Sequence, residues 1–192
     1  MLASASPVRA RVLREAGFAP EVIVSGVDED DVTGPTQEVA LVLAERKASA
    51  VADGLGGARA VVLGGDTVLD VDGETRGKPA SLDQARGWWA SVAGRSGTLH
   101  SGLCAIDTTT GRRASGVATT VVHYGHPSDR EMDAYLATGE PLAVAGGFTI
   151  DGYAAPFVER IEGDHGAVLG LSVPLLRRLL SSIDIEITDL WA

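Results

Sequence analysis

Helical and strand-like hydrophobic spacings alternate along this chain, a pattern that favours an α/β fold. Ser6-Pro7 reads as an N-cap and first helical position, opening a helix to about residue 16 that Gly17 stops. Behind Thr36 as N-cap, Val39, Leu43, Ala50 and Val51 fall at helical spacing, and that helix ends near Asp53-Gly54. Ala60-Val61-Val62-Leu63 is apolar on both faces and bounded by glycines, as a buried central strand is. Strand resumes over 68–71 and reaches a hairpin turn at Asp72-Gly73. Ser81 caps a helix through Trp88-Trp89 to Ala93, and Ser128-Asp129-Arg130-Glu131 is a capping box for the helix carrying Tyr135 and Leu136. Further β-rich runs cover 21–25, 98–106, 115–124, 148–150 and 157–161, the last two around an Asp151-Gly152 turn. A final helix runs from about Pro174 to Ser182.

Charge changes the picture. Twenty-six Asp plus Glu against 16 Lys plus Arg give 192 residues a net charge of −10. Polyanion affinity comes from dense positive charge, so a general nucleic-acid binder is disfavoured. A small anion met by a local basic cluster is not. With 45% apolar and 22% charged residues the chain is globular, and no boundary divides it, so one domain over 1–192 is expected. No apolar run approaches the ~18 residues of a membrane span, and no signal-peptide pattern opens the chain. Cys104 is the single cysteine, which excludes an internal disulfide and a Cys-based zinc site. A cytoplasmic enzyme or binding protein follows as the expected class.

Three stretches carry candidate chemistry. In Ser4-Ala5-Ser6-Pro7-Val8-Arg9-Ala10-Arg11, hydroxyls run into a helix N-terminus followed by two arginines, a phosphate-type anion site or an ordinary Ser-Pro cap. Gly64-Gly65-Asp66-Thr67 sits at the exit of the buried strand, where a carboxylate orients water or holds a divalent cation, or merely closes a turn. Lys47 and Lys78 are the only two lysines; Lys78 lies in a rigid Gly77-Lys78-Pro79 loop that could present one ammonium inward, whereas Lys47 on its helix reads more readily as solvated surface. Asp70-Val71-Asp72-Gly73 resembles an Asp-x-Asp phosphatase nucleophile, though the Asp-Gly pair has a simpler use in the turn. The four histidines lack metal-type spacing, and no Walker A or Gly-x-Gly-x-x-Gly motif is present. Trp88 and Trp89 read as packing residues.

Taken in order, Ser4-Ala5-Ser6-Pro7-Val8-Arg9, Val27-Asp28-Glu29, Glu45-Arg46-Lys47-Ala48, Gly65-Asp66-Thr67, Gly77-Lys78-Pro79, Gly139-Glu140-Pro141, Ala145-Gly146-Gly147-Phe148 and Val168-Leu169-Gly170-Leu171 resemble the Maf-like nucleoside triphosphate pyrophosphatases. That resemblance implies an elongated mixed β-sheet flanked by helices, two lobes around a central cleft, and a possible homodimer. The implied reaction splits a nucleoside triphosphate between its α and β phosphates with a divalent cation, Mg²⁺ or Mn²⁺. It implies Asp66 as proton acceptor or metal-held carboxylate, Lys47 and Lys78 as active-site cations, Ser4, Ser6 and Arg9 as the phosphate loop, and Glu29 with Asp66 as metal ligands. Base specificity falls to Val8, Thr67 and Asp151. Thr67 agrees with the thymidine/uridine type, while Val8 and Asp151 match neither that type nor the methylguanosine one. An alternative is a nucleotide-binding regulator of septum formation with little turnover, separable from the enzyme by product analysis. The resemblance also leaves the first strand short, with only Met1 and Leu2 ahead of Ala3-Ser4.

Overall fold

The computed structural model describes residues 1–192. One six-stranded sheet organises it: β1 (Leu2–Ala3), β2 (Val61–Val71), β4 (Ser96–Asp107), β5 (Arg113–Tyr124) and β6 (Val158–Glu162) lie side by side, and β3 (Glu74–Arg76) hairpins back onto β2. β1 is parallel to β2 and every other pair is antiparallel, so the sheet is mixed as expected. Asp72 and Gly73 both take positive φ at the β2–β3 turn, which matches the twist of the flanking strands.

Six helices cover the sheet: α1 (Pro7–Glu15), α2 (Thr36–Gly54), α3 (Leu82–Val92), α4 (Asp129–Ala137), the single turn α5 (His165–Val168) and α6 (Val173–Ser182). Strand alternation assigns their faces. Leu63, Leu103 and Ala105 bury against α1 and α6 residues such as Leu13, Leu176 and Leu180. Further along the same face, Leu69, Leu99, Val122 and Tyr124 bury against Trp89, Tyr135 and Phe148. The opposite face, with Val62, Cys104 and Ile106, receives Ala44, Ala48 and Val51 of α2. α2 comes very close. A Cβ on Gly64 would stand 2.2 Å from the Ala44 carbonyl oxygen, and one on Gly102 2.2 Å from that of Ala40. The glycines on the strands and the Ala40, Ala44, Ala48 stripe on the helix are therefore complementary. No helix is long and apolar enough to cross a membrane.

Four expectations are corrected. Gly64-Gly65-Asp66-Thr67 lies inside β2, not at a strand exit, because both glycines keep their ladder partners Cys104 and Leu103. The run 21–25 forms only one bridge, Leu2 to Val22, since two-residue β1 offers no further partner. Residues 148–150 form no strand: left-handed Gly146 and Gly147 turn the chain, and Phe148 is buried against Tyr124 without a ladder neighbour. Thr36 is the first residue of α2, with Pro35 at the cap position, and its hydroxyl bonds Asp70 and Thr75.

Candidate active site

The edge of β2 is covered by β1 at Leu63 and Gly64 and by β3 from Leu69 to Val71. Between them Gly65-Asp66-Thr67-Val68 has no strand on that side, so a gap opens in the sheet edge where β1 ends. It coincides with a break in the core. On the α1 face, Gly65, Thr67 and Ser101 separate the cluster holding Leu63 and Leu103 from the one holding Leu69 and Leu99. This polar belt is the cleft between two apolar halves.

Arg9 fills the belt from α1. Its guanidinium is buried and donates from Nε to the Gly170 carbonyl at 2.8 Å, from Nη1 to the Ser4 hydroxyl at 3.0 Å and from Nη2 to the Thr67 hydroxyl at 3.0 Å. Thr67 Oγ1 is in turn 3.3 Å from the hydroxyl of Ser101, a fully buried residue. Ser4 Oγ also accepts from the Ser6 N–H at 3.2 Å, and Ser6 Oγ, as helix N-cap, accepts from the Arg9 N–H at 3.4 Å. The N–H groups of Ala5 and Val8 have no acceptor within the protein. Unpaired amides at the start of a nine-residue helix, beside a fixed guanidinium, make an anion cradle. Burial pulls the Arg9 pKa below its ordinary value, while Asp66 and Glu29 pull it back up.

Asp66, one residue before Thr67, points to the other face. There Lys47 of α2 reaches it, Nζ to Oδ1 at 2.6 Å, and the same ammonium meets Glu29 Oε1 at 2.7 Å. Lys47 is only 7% exposed. Neighbouring Arg46 ties Asp31 at 2.5 Å, so two successive residues of α2 hold the acidic loop 28–31 over the cleft. Burial raises the Asp66 pKa against the opposing pull of Lys47 and Arg9, which makes its carboxylate more basic than an ordinary one.

The structure thus brings together Ser4, Ser6, Arg9, Lys47, Asp66, Thr67 and Glu29. Lys78 is exposed on the loop after β3 and makes no ion pair with Asp66. Val8 packs on the α1 core cluster. Asp151 accepts from the Thr149 hydroxyl and from Arg11, so the two α1 arginines diverge, Arg9 into the belt and Arg11 to the 149–154 turn. Asp70 bonds the Gly73 N–H at 2.9 Å and the Thr36 hydroxyl at 2.8 Å, occupations of a turn residue rather than a phosphatase nucleophile. Ser101 and the Gly170 carbonyl escaped the sequence reading of the site. A serine opposite Thr67 has no local signature, and a main-chain oxygen has none at all.

No group of three or more metal-ligating side chains exists in the structure. The Glu29 and Asp66 pair nonetheless fits Mg²⁺ or Mn²⁺, because such ions take one or two carboxylates and complete their shell with substrate phosphates. Glu29 Oε2 and Asp66 Oδ2 have no partner in the protein.

Comparison with known proteins bears on this geometry. A family model described as Maf-like protein matches residues 1–183. A nucleoside triphosphate pyrophosphatase of Streptomyces coelicolor is 56% identical over 193 residues, covering 100% of this chain and 94% of its own. The protein of that name from Salinispora tropica is 54% identical, with 100% and 87% coverage. The one from Mycobacterium ulcerans is 45% identical, with 100% and 96%.

Proposed function

The chain belongs to the Maf-like family, and on that footing we propose that it is a nucleoside triphosphate pyrophosphatase, its reacting centre the Asp66–Lys47 pair in the gap between β1 and β3. The buried 2.6 Å contact between those two residues carries the reading. A substrate bearing about four negative charges needs local cations in a chain of net charge −10, and Arg9, Lys47 and the N-terminus of α1 supply them on one edge.

In this mechanism the phosphates lie across the Ser4–Arg9 cradle, oriented by main-chain N–H groups and the guanidinium. Arg9 is held in place by Ser4, Thr67 and Gly170, so no reorganisation accompanies the reaction. Asp66 orients a water against the α phosphorus and accepts its proton. The water oxygen bonds to phosphorus as the α–β bridging P–O bond breaks, and pyrophosphate leaves. Lys47 balances the carboxylate before transfer and the phosphate charge after it. Lys78, two residues past the end of β3, completes the cationic rim once phosphate is bound. Glu29 and Asp66 would hold Mg²⁺ or Mn²⁺ with the substrate's own oxygens, and the ion when bound supplies charge neutralisation and polarisation of the phosphate.

Thr67, which agrees with the thymidine/uridine type, supports pyrimidine triphosphates as the preferred class, whereas Val8 and Asp151 match neither type. Cytoplasmic placement is supported by the lone buried Cys104, whose thiol burial pushes up to about 11. A homodimer rests on the family resemblance alone, and sedimentation velocity decides it. The test of function is product analysis with Mg²⁺. Wild-type protein releases pyrophosphate and nucleoside monophosphate, and Asp66→Asn and Lys47→Met each lose at least about a hundredfold in kcat/KM, in the range for general-base loss. Near-normal pyrophosphate release by Asp66→Asn refutes the mechanism. Orthophosphate as the product, or nucleotide binding without product, refutes the pyrophosphatase assignment.

A further inference from the structure

The Gly170 carbonyl that receives Arg9 Nε belongs to the segment joining α5 to α6. Gly170 has φ +98°, and a Cβ there would stand 3.3 Å from Arg9 Nε and 3.5 Å from Thr67 Oγ1, so main chain lies directly against the guanidinium. The Gly170 N–H donates to the Ala167 carbonyl at 2.9 Å and the Leu171 N–H to the Gly166 carbonyl at 2.9 Å, which folds the segment back on α5.

One side chain brackets this segment. Asp164 Oδ1 accepts from the Gly166 N–H at 2.8 Å and caps α5. Its Oδ2 accepts from the hydroxyl of Ser172, whose oxygen accepts from the Leu175 N–H at 3.1 Å as the cap of α6. The bracket is itself fixed to the sheet. The Asp164 N–H donates to Thr120 Oγ1 at 3.1 Å, and that hydroxyl, on a fully buried residue of β5, donates to the Asp164 carbonyl at 3.3 Å. Gly170 and Thr67, two of the three groups that hold Arg9, are thereby referred to one sheet.

Resting on the pyrophosphatase reading above, we propose that Asp164 is a positioning residue for the Arg9 guanidinium, acting through Ser172 and Gly170. It bonds no side chain of the cleft itself. The fork of Arg9 serves a phosphate only while Nε, Nη1 and Nη2 are all held, and release of Gly170 frees the Nε end. The guanidinium then swings out of line with the unpaired N–H groups of Ala5 and Val8. The effect falls on KM, because the cradle holds the phosphates in bound and reacting substrate alike, and Asp66 and Lys47 on the other face are untouched.

The experiment is steady-state pyrophosphate release with Mg²⁺, on the nucleoside triphosphate that wild type hydrolyses fastest, by Asp164→Ala, Asp164→Asn and Ser172→Gly, with thermal melts to establish that each is folded. Asp164→Ala raises KM about tenfold and leaves kcat within about twofold. Ser172→Gly, in which glycine still suits a helix cap but holds no hydroxyl against Asp164, raises KM in the same direction. Asp164→Asn recovers most of the loss, since its amide keeps an acceptor for Gly166 and donates to the Ser172 oxygen. In an Arg9→Lys background, whose ammonium lacks the fork that spans Ser4, Thr67 and Gly170, Asp164→Ala raises KM by less than about twofold more. An equal rise in that background, a fall in kcat at unchanged KM, or wild-type KM in folded Asp164→Ala overturns the proposal. Where Asp164→Ala does not fold, wild-type KM in Ser172→Gly overturns it. Wild type that releases pyrophosphate from no nucleoside triphosphate instead brings down the pyrophosphatase reading itself, a distinguishable result.

Discussion

Gly102→Ala and Gly87→Ala make the same chemical change with opposite expected signs. Gly102 is the β4 residue paired with Asp66, and its missing side chain admits α2. A Cβ there falls 2.2 Å from the Ala40 carbonyl oxygen, 2.6 Å from its carbonyl carbon and 3.0 Å from the Leu41 nitrogen. Carbon and carbonyl oxygen settle about 3.3 Å apart, so α2 must withdraw by roughly 1 Å. Every opposing atom is main chain, and no rotamer change relieves the clash. Overpacking of this kind costs about 3 kcal/mol, the upper end of its usual range. For a chain of this length that lowers Tm by about 6–12 °C. Gly87 is exposed within α3 and a Cβ there meets nothing within 4 Å. Alanine at that position contributes about 1 kcal/mol of helix propensity and raises Tm by about 2–4 °C. Thermal unfolding followed by circular dichroism measures both. Because α2 also carries Lys47, its withdrawal lengthens the 2.6 Å contact with Asp66, and Gly102→Ala loses pyrophosphate release even where it is fully folded. A Gly102→Ala protein that melts within about 2 °C of wild type refutes the close docking. A destabilised Gly87→Ala shows that the substitution itself, not the contact, was responsible.

Tyr124 packs edge-on against Trp89 and Phe148, with ring centroids 5.5 and 5.2 Å apart, and its buried hydroxyl has no hydrogen-bond partner. Tyr124→Phe removes a desolvated group and keeps the ring, so Tm holds or rises by a few degrees, about 1 kcal/mol at most; a loss of that size contradicts the packing. His100, buried with Nδ1 3.2 Å from the Thr119 hydroxyl, has its pKa held below the ordinary 6.5 by burial, against the opposing pull of Asp70. Its stabilising neutral state costs nothing above pH 6.5. As pH falls through that value the unfolded chain binds a proton the folded one resists, so stability is lost on the acid side. Between about pH 7.5 and 5.5, wild type loses more Tm than His100→Gln, and parallel curves for the two refute the assignment.

Most elements were legible because their signals are local. Ser6, Ser81 and Ser128 each bond the N–H three residues on, as their positions before apolar periodic runs demand. The misses share one cause. Residues 148–150 have strand composition, yet the Gly147 carbonyl is taken by Trp89 Nε1 and the Tyr135 hydroxyl, both at 2.9 Å, and the chain that follows finds no ladder. Composition describes what a segment tolerates; only tertiary neighbours decide which hydrogen bonds it makes. Lys47 illustrates the same limit at the site. Helical spacing alone reads it as solvated, but the Ala40, Ala44 and Ala48 stripe lets α2 sink onto Gly64 and Gly102 until the adjacent lysine is enclosed.

That close approach also explains why one dipeptide serves two pockets. Successive strand residues face opposite sides, so Asp66 meets Lys47 under α2 while Thr67 meets Arg9 under α1. A slip of β2 by one residue would exchange them, turning the carboxylate toward Arg9 and the hydroxyl toward Lys47. Apolar burial alone resists such a slip weakly here, because Gly65, Thr67 and Ser101 interrupt the core on one face. Gly64 resists it in one direction: with Leu63 in its place, a side chain would stand where a Cβ already falls 2.2 Å from the Ala44 carbonyl oxygen. The residues that make the site chemically active are thus aligned in part by a residue with no side chain at all.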